Sequence, residues 1–136
     1  MAYETKDSGE RQEYSTGMMR DTSTNKARYD LLDLPMLARW ADLMARGAEK
    51  YGAHNWKKAK TQEELDRFRE SAIRHFFQWF SGDTDEDHGA AVYFNIAGAE
   101  MVKAKLVAAA NREMFENFKQ GAATSTNIRP LDARQG

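Results

Sequence analysis

The densest run of reactive side chains is GDTDEDHGAAVYFN, residues 82–95, which holds Asp83, Asp85, Glu86, Asp87 and His88 and then Asn95. Carboxylate oxygens at this density suit a hard divalent cation. Mg²⁺ typically takes one or two carboxylates and completes its shell with water or substrate phosphates, and Mn²⁺ accepts the same oxygens. On a helix, Asp87, Ala91 and Asn95 stand at i, i+4 and i+8 and share one face. The small Ala90 and Ala91 leave room there for a ligand or another element. A purely structural reading competes: acids at a helix start complement the macrodipole, and Asp83 with Glu86 has capping-box spacing.

Three further groups could do chemistry. His75 follows Arg74 amid Phe76, Phe77 and Trp79. It either packs at the edge of a core or orients a carboxylate, a metal-bound water or a phosphate. In RGAEKYGAHNW, residues 46–56, Glu49 could ligate a metal, Lys50 could meet a phosphate, and Asn55 with Trp56 could bond and stack a base. The plain alternative is a glycine helix stop, a solvated Glu–Lys pair and a packed Trp. Arg20, Lys26 and Arg28 offer either a triphosphate clamp or a solvated face partly cancelled by Asp21 and Asp30. Walker A, GxGxxG, HExxH and nucleophile-elbow motifs are missing, so any phosphate chemistry must be metal-centred on helices.

The elements that must position these groups follow from composition. The 136 residues carry 20 Lys+Arg, 21 Asp+Glu and no Cys. That length is one domain with a core of its own. The cysteine count excludes disulfides, thiol nucleophiles and Cys-ligated zinc. A net charge of −1 argues against a general nucleic-acid binder. No apolar run approaches a membrane span, so the expectation is a cytoplasmic protein with no membrane partner. There are 20 Ala but only three Val and three Ile, and Pro35 and Pro130 bracket a proline-free stretch. Too few β-branched residues exist for a sheet core, so the fold class is all-α.

Residues 1–16 read as a flexible lead-in, 17–119 as a helical catalytic domain and 120–136 as a flexible tail beginning near Gly121. Within the domain, 17–34 is an ordered loop. A first helix over 35–51 is stopped by Gly52, with Leu37, Trp40, Met44, Ala48 and Tyr51 on one face. A second helix over 62–80 opens on the Thr61/Glu64 capping box. A third starts near Asp83 or Asp85 and runs to about 119. Some 33 residues would span ~50 Å, against a radius of gyration of ~14 Å for a domain of this size. Either the helix breaks near Ala108–Asn111 or its far end packs on another subunit. The Phe115/Phe118 end would otherwise be poorly covered, which favours a homo-oligomer.

The segments TGMMRD, NKARYDLL, GAEKYGAHNW and SAIRHFFQWFSGDTDEDHGAAVYFN, in this order over about residues 16–100, resemble the phage and bacterial dATP/dGTP diphosphohydrolase family. That family is similar to the all-α, MazG-like nucleoside triphosphate pyrophosphohydrolases. The resemblance implies a bundle of about three helices, completed as a dimer or tetramer. It implies Mg²⁺-dependent cleavage of a purine deoxynucleoside triphosphate, dGTP or dATP, into monophosphate and pyrophosphate. It makes Glu86 and Asp87 metal ligands and, with His75, catalytic residues. Arg20, Lys26 and Arg28 become phosphate contacts and Asn55 and Trp56 nucleoside contacts, with Lys50, Arg74 and Asn95 as further substrate-binding candidates. MazG-like enzymes carry an ExxE pair facing an ExxD pair. Here Glu63, Glu64 and Glu70 form no such pattern and Glu86 adjoins Asp87, so Glu49 is the third carboxylate offered. The rival functions are a non-catalytic nucleotide-binding module and a structural helical interaction protein.

Overall fold

The computed structural model describes residues 3–125. The chain divides into two compact units, Met1–Asp33 and Leu34–Gly136. In the first, strands β1 (Arg11–Glu13) and β2 (Met19–Asp21) pair antiparallel, Gln12 opposite Arg20. Gly17, at φ 82°, closes the turn by donating its N–H to the Tyr14 carbonyl at 2.8 Å. Arg11 ties the base, reaching Asp7 at 2.7 Å and Asp21 at 2.8 Å. A 3-10 turn follows at Tyr29–Leu31. The expected lead-in over 1–16 therefore contains a strand. Five of the six hairpin residues are exposed, so no apolar–polar alternation advertises the pairing.

The second unit is an all-α bundle of three main helices: α1 (Leu34–Tyr51), α2 (Gln62–Ser81) and α3 (His88–Ser125). A 3-10 turn, Asn55–Lys58, lies between α1 and α2. Gly52, at φ 92°, ends α1 and donates to the Ala48 carbonyl at 2.8 Å. Thr61 and Glu64 form the reciprocal capping box at the start of α2.

The start of α3 differs from expectation. Asp83 and Glu86 do not cap it; Asp87 does, its Oδ1 accepting the Ala90 N–H at 3.0 Å. α3 also runs unbroken through Ala108–Asn111 and past Gly121. Residues 120–125 of the expected tail are thus helical, and 126–136 lie outside the described residues.

α2 and α3 pack antiparallel, because pairings widen in sequence along them: His75 meets His88, and Phe68 meets Gly98. Gly98 is required by contact. A Cβ there would lie 2.3 Å from the Phe68 ring. Beyond it, Ala59, Leu65, Ala99 and Val102 form a small buried cluster with Phe68, Met101 and Leu106 against it. α1 joins α3 near its start, where Trp40 and Tyr93 have ring centroids 6.1 Å apart.

α2 spans ~30 Å and α3 ~57 Å, so the far half of α3 projects past α2. Val107, Met114, Phe115 and Phe118 are exposed there, as are Ile73, Phe77, Trp79 and Phe80 on α2. No helix among the described residues is long and apolar enough to cross a membrane.

Candidate functional site

The end of α1, the connection after it and the facing sides of α2 and α3 enclose a cavity of about 680 Å³. The local sequence dictates its mouth. Gly52 stops α1, His54 takes a left-handed φ of 61°, and the 3-10 turn then presents Asn55 and Trp56. Lys50, Asn55 and Trp56 all line the cavity. Its back wall is a chain of edge-on rings: Trp56 to Phe94 at 5.9 Å and Phe94 to Phe68 at 5.8 Å.

Cations surround these rings. Arg46, Lys58 and Arg67 line the cavity with Lys50, against one acid, Glu64. The Glu64 carboxylate is already occupied by the Lys60 N–H at 2.7 Å, the Thr61 N–H at 2.9 Å and the Thr61 hydroxyl at 2.8 Å. Those donors hold it below the usual carboxylate range, the Lys60 N–H most of all. The connection is fastened from α3 by Lys105, whose ammonium donates to the Lys57 carbonyl and, at 2.9 Å, to the Ala59 carbonyl. Excess positive charge beside ring faces and an amide suits an anionic ligand with a planar ring system. Arg46 and Arg67 were not singled out in sequence. Arg46 sits within the motif itself, whereas Arg67 is brought in by α2.

A second constellation lies where α2 ends and α3 begins. His75, Glu86 and His88 each offer a ligand atom, all within 4.8 Å of one another. His75 Nδ1 and His88 Nδ1 are 3.0 Å apart, and His88 Nε2 is 2.8 Å from Asp85 Oδ1. His88 is buried, His75 half-buried and Glu86 exposed. Burial, then the Arg74 charge, lowers the His75 pKa, with Glu86 partly opposing. The His88 hydrogen bond lowers that of Asp85. Two imidazoles and a carboxylate are a chemically competent donor set for a divalent metal. Sequence alone gives His88 and Asp85 no individual role beyond the acidic run; their i, i+3 spacing is the signal that pairs them.

His75 stands seven residues from Phe68, on the same face of α2 and ~10 Å along it. The constellation and the cavity are therefore neighbours. Arg46 of the cavity wall also helps lower the Asp87 pKa.

The remaining predicted residues are placed as follows. Asp87 pairs with Arg39 of α1 through two bonds, 2.8 Å from Nε and 2.6 Å from Nη2, and this pair, with the Ala90 N–H, brings its pKa down to about 2. It is outside the histidine cluster. Asn95 is buried and donates its amide to the Ala91 carbonyl of its own helix at 2.8 Å. Glu49 and Arg74 are exposed and belong to neither the cavity lining nor the cluster. Arg20, Lys26 and Arg28 lie exposed in the N-terminal unit, with Arg28 held by Asp30 at 2.6 Å.

A family model described as dATP/dGTP diphosphohydrolase, N-terminal, matches residues 16–117. No curated protein and no solved structure matches the chain.

Proposed function

Since the chain belongs to the dATP/dGTP diphosphohydrolase N-terminal family, we propose that it hydrolyses a purine deoxynucleoside triphosphate to the monophosphate and pyrophosphate, using a divalent metal. The observation that carries this reading is the cavity that gathers Lys50, Asn55 and Trp56 with Arg46, Lys58 and Arg67. Trp56 supplies a stacking surface for the base, and Asn55 a donor and an acceptor for its edge. The cations neutralise the phosphates and stabilise charge as pyrophosphate leaves.

The expected metal is Mg²⁺, with Mn²⁺ as substitute. Glu86 would hold it with phosphate oxygens, and Glu49 is the further carboxylate proposed. Asp87 would serve only after releasing Arg39. Such an ion, when bound, screens the triphosphate and lowers the pKa of its water. A second copy of the chain is proposed to cover the bare half of α3, where Met114, Phe115 and Phe118 are exposed.

The test is pyrophosphate release from a panel of dNTPs and NTPs with Mg²⁺ or Mn²⁺ and an EDTA control. Metal-dependent release, strongest with dGTP or dATP, is expected. Binding without turnover under every metal would replace the enzyme with a nucleotide-binding module. Neither binding nor turnover would leave a structural helical protein.

A further inference from the structure

We propose that His75, Glu86 and His88 form a binding site for a borderline transition-metal ion of the Zn²⁺ type, with Asp85 orienting His88. The orientation of His88 is the starting point. A carboxylate only accepts hydrogen bonds, so Asp85 Oδ1, at 2.8 Å, places the ring proton of His88 on Nε2. In the neutral ring the lone pair of His88 is then on Nδ1, facing His75 Nδ1 3.0 Å away. Two facing lone pairs at that distance repel. The gap must hold either a proton, on the Nδ1 of one ring or the other, or a cation shared by both rings.

Three features favour the cation. A Glu86 oxygen lies within 4.8 Å of a ring nitrogen of each histidine, giving a third donor beside the pair. The Asp85–His88 arrangement is the one by which metal-ligating histidines are commonly held, the second ring N–H donated to a carboxylate. Gln78, one turn along α2 from His75, carries a buried side-chain oxygen with no partner among the described residues. It is a neighbour of His75 on the helix surface.

The donor set decides the class of ion. Two imidazoles with one carboxylate suit zinc-type ions, whereas Mg²⁺ prefers an all-oxygen shell. The three ligands leave a tetrahedral ion one position for water or substrate. Glu86 is also the carboxylate proposed above for Mg²⁺, so the two ions would compete for it, and metal uptake is therefore read without nucleotide and separately from pyrophosphate release.

The test uses EDTA-treated full-length protein without nucleotide. Zn²⁺ uptake is followed by calorimetry, and Co²⁺ uptake by its visible ligand-field absorption. One ion per chain is expected, not displaced by a hundredfold excess of Mg²⁺. His75→Ala and Glu86→Gln should each weaken uptake at least tenfold, and Asp85→Asn ~10- to 100-fold. These variants avoid replacing the buried His88, whose loss could act through folding alone. His54→Asn, which removes the histidine outside the cluster and keeps a residue that tolerates the left-handed backbone, should leave Zn²⁺ uptake unchanged. Absence of uptake overturns the proposal, leaving a histidine pair joined by a proton. Uptake unchanged in both His75→Ala and Glu86→Gln overturns it as adventitious binding, and equal competition by Mg²⁺ overturns the assigned class. Failure to release pyrophosphate would sink the nucleotide reading without touching this result.

Discussion

Near the start of α2, rings pack edge to face beside a cavity lined by four cations and one acid. Near its end, two imidazoles and two carboxylates converge on one another with little space between them. The first arrangement is made by shape: Phe68 packs against Gly98, Phe94 meets Phe68 edge to face, and Trp56 meets Phe94 in the same way. The second is made by polar directionality: Asp85 fixes His88, which faces His75. Phe68 of the first and His75 of the second lie on one face of α2, ~10 Å apart. A shaped cavity tolerates a range of ligands and discriminates by contact area. A convergent donor set discriminates by element and geometry. On the two proposals above, the first would recognise a large anion and the second take up a small cation, and variants in each should test whether they separate.

The largest expected effect is on recognition. Trp56→Ala removes the stacking surface, and base–aromatic stacking is worth ~1–3 kcal/mol. Nucleotide affinity should fall ~10- to 100-fold, with Zn²⁺ uptake unchanged, both measured by calorimetry. A parallel loss of metal uptake would merge the two sites into one cooperative unit and break the comparison.

Next comes the seam that both halves share. Gly98→Ala pushes a methyl to 2.3 Å from the Phe68 ring, an overpacking that costs ~1–3 kcal/mol. Thermal unfolding should show that loss. Adding Phe68→Leu should recover part of it, because the obstructed ring is gone, and the double-mutant cycle measures the coupling directly. Nucleotide affinity should suffer in Gly98→Ala more than metal affinity, since Phe68 lines the cavity and His75 lies a heptad away.

Local chemistry was readable; tertiary choice was not. The Thr61/Glu64 box and Gly52 act within one turn of backbone, and both sit where the residue types placed them. Lys50, Asn55 and Trp56 share one short string, so their gathering around one cavity needed only a helix stop. The start of α3 offered several acids as caps. Asp87 wins, and the Arg39 that grips it is 48 residues away. Arg67 joining the cavity and His88 meeting His75, 13 residues apart, likewise depend on how α2 packs and not on local sequence. The β1–β2 hairpin rests on a glycine turn and an ion-paired arginine, with no buried face to produce a pattern.

Asp87→Asn separates the adjacent acids. Asn retains an oxygen for the Ala90 N–H but loses the charge that pairs with Arg39. Arg39 is half-exposed, so the screened cost is ~1 kcal/mol. Thermal stability should drop by a few degrees while Zn²⁺ uptake stays at the wild-type level, in contrast to Glu86→Gln. A tenfold loss of uptake in Asp87→Asn would enlarge the ligand set by one carboxylate.

The smallest effect tests whether the cavity's one acid belongs to the scaffold. Glu64 lines the cavity, yet its carboxylate is filled by donors from Lys60 and Thr61. These donors depress its folded-state pKa below the ordinary value of 4.5. A depressed carboxylate contributes stability that is fully present above the unfolded-state pKa and is lost as pH falls through the folded-state pKa. Glu64→Gln still offers a side-chain oxygen at the capping-box position but does not titrate there. Wild type should therefore melt above Glu64→Gln at pH 7, and the gap should close as the pH is taken below about 4. Nucleotide affinity should hold or rise slightly in Glu64→Gln, because a negative charge leaves a cation-lined cavity. A marked fall in affinity, with the pH-dependent gap absent, would move Glu64 from the helix cap to the recognition surface.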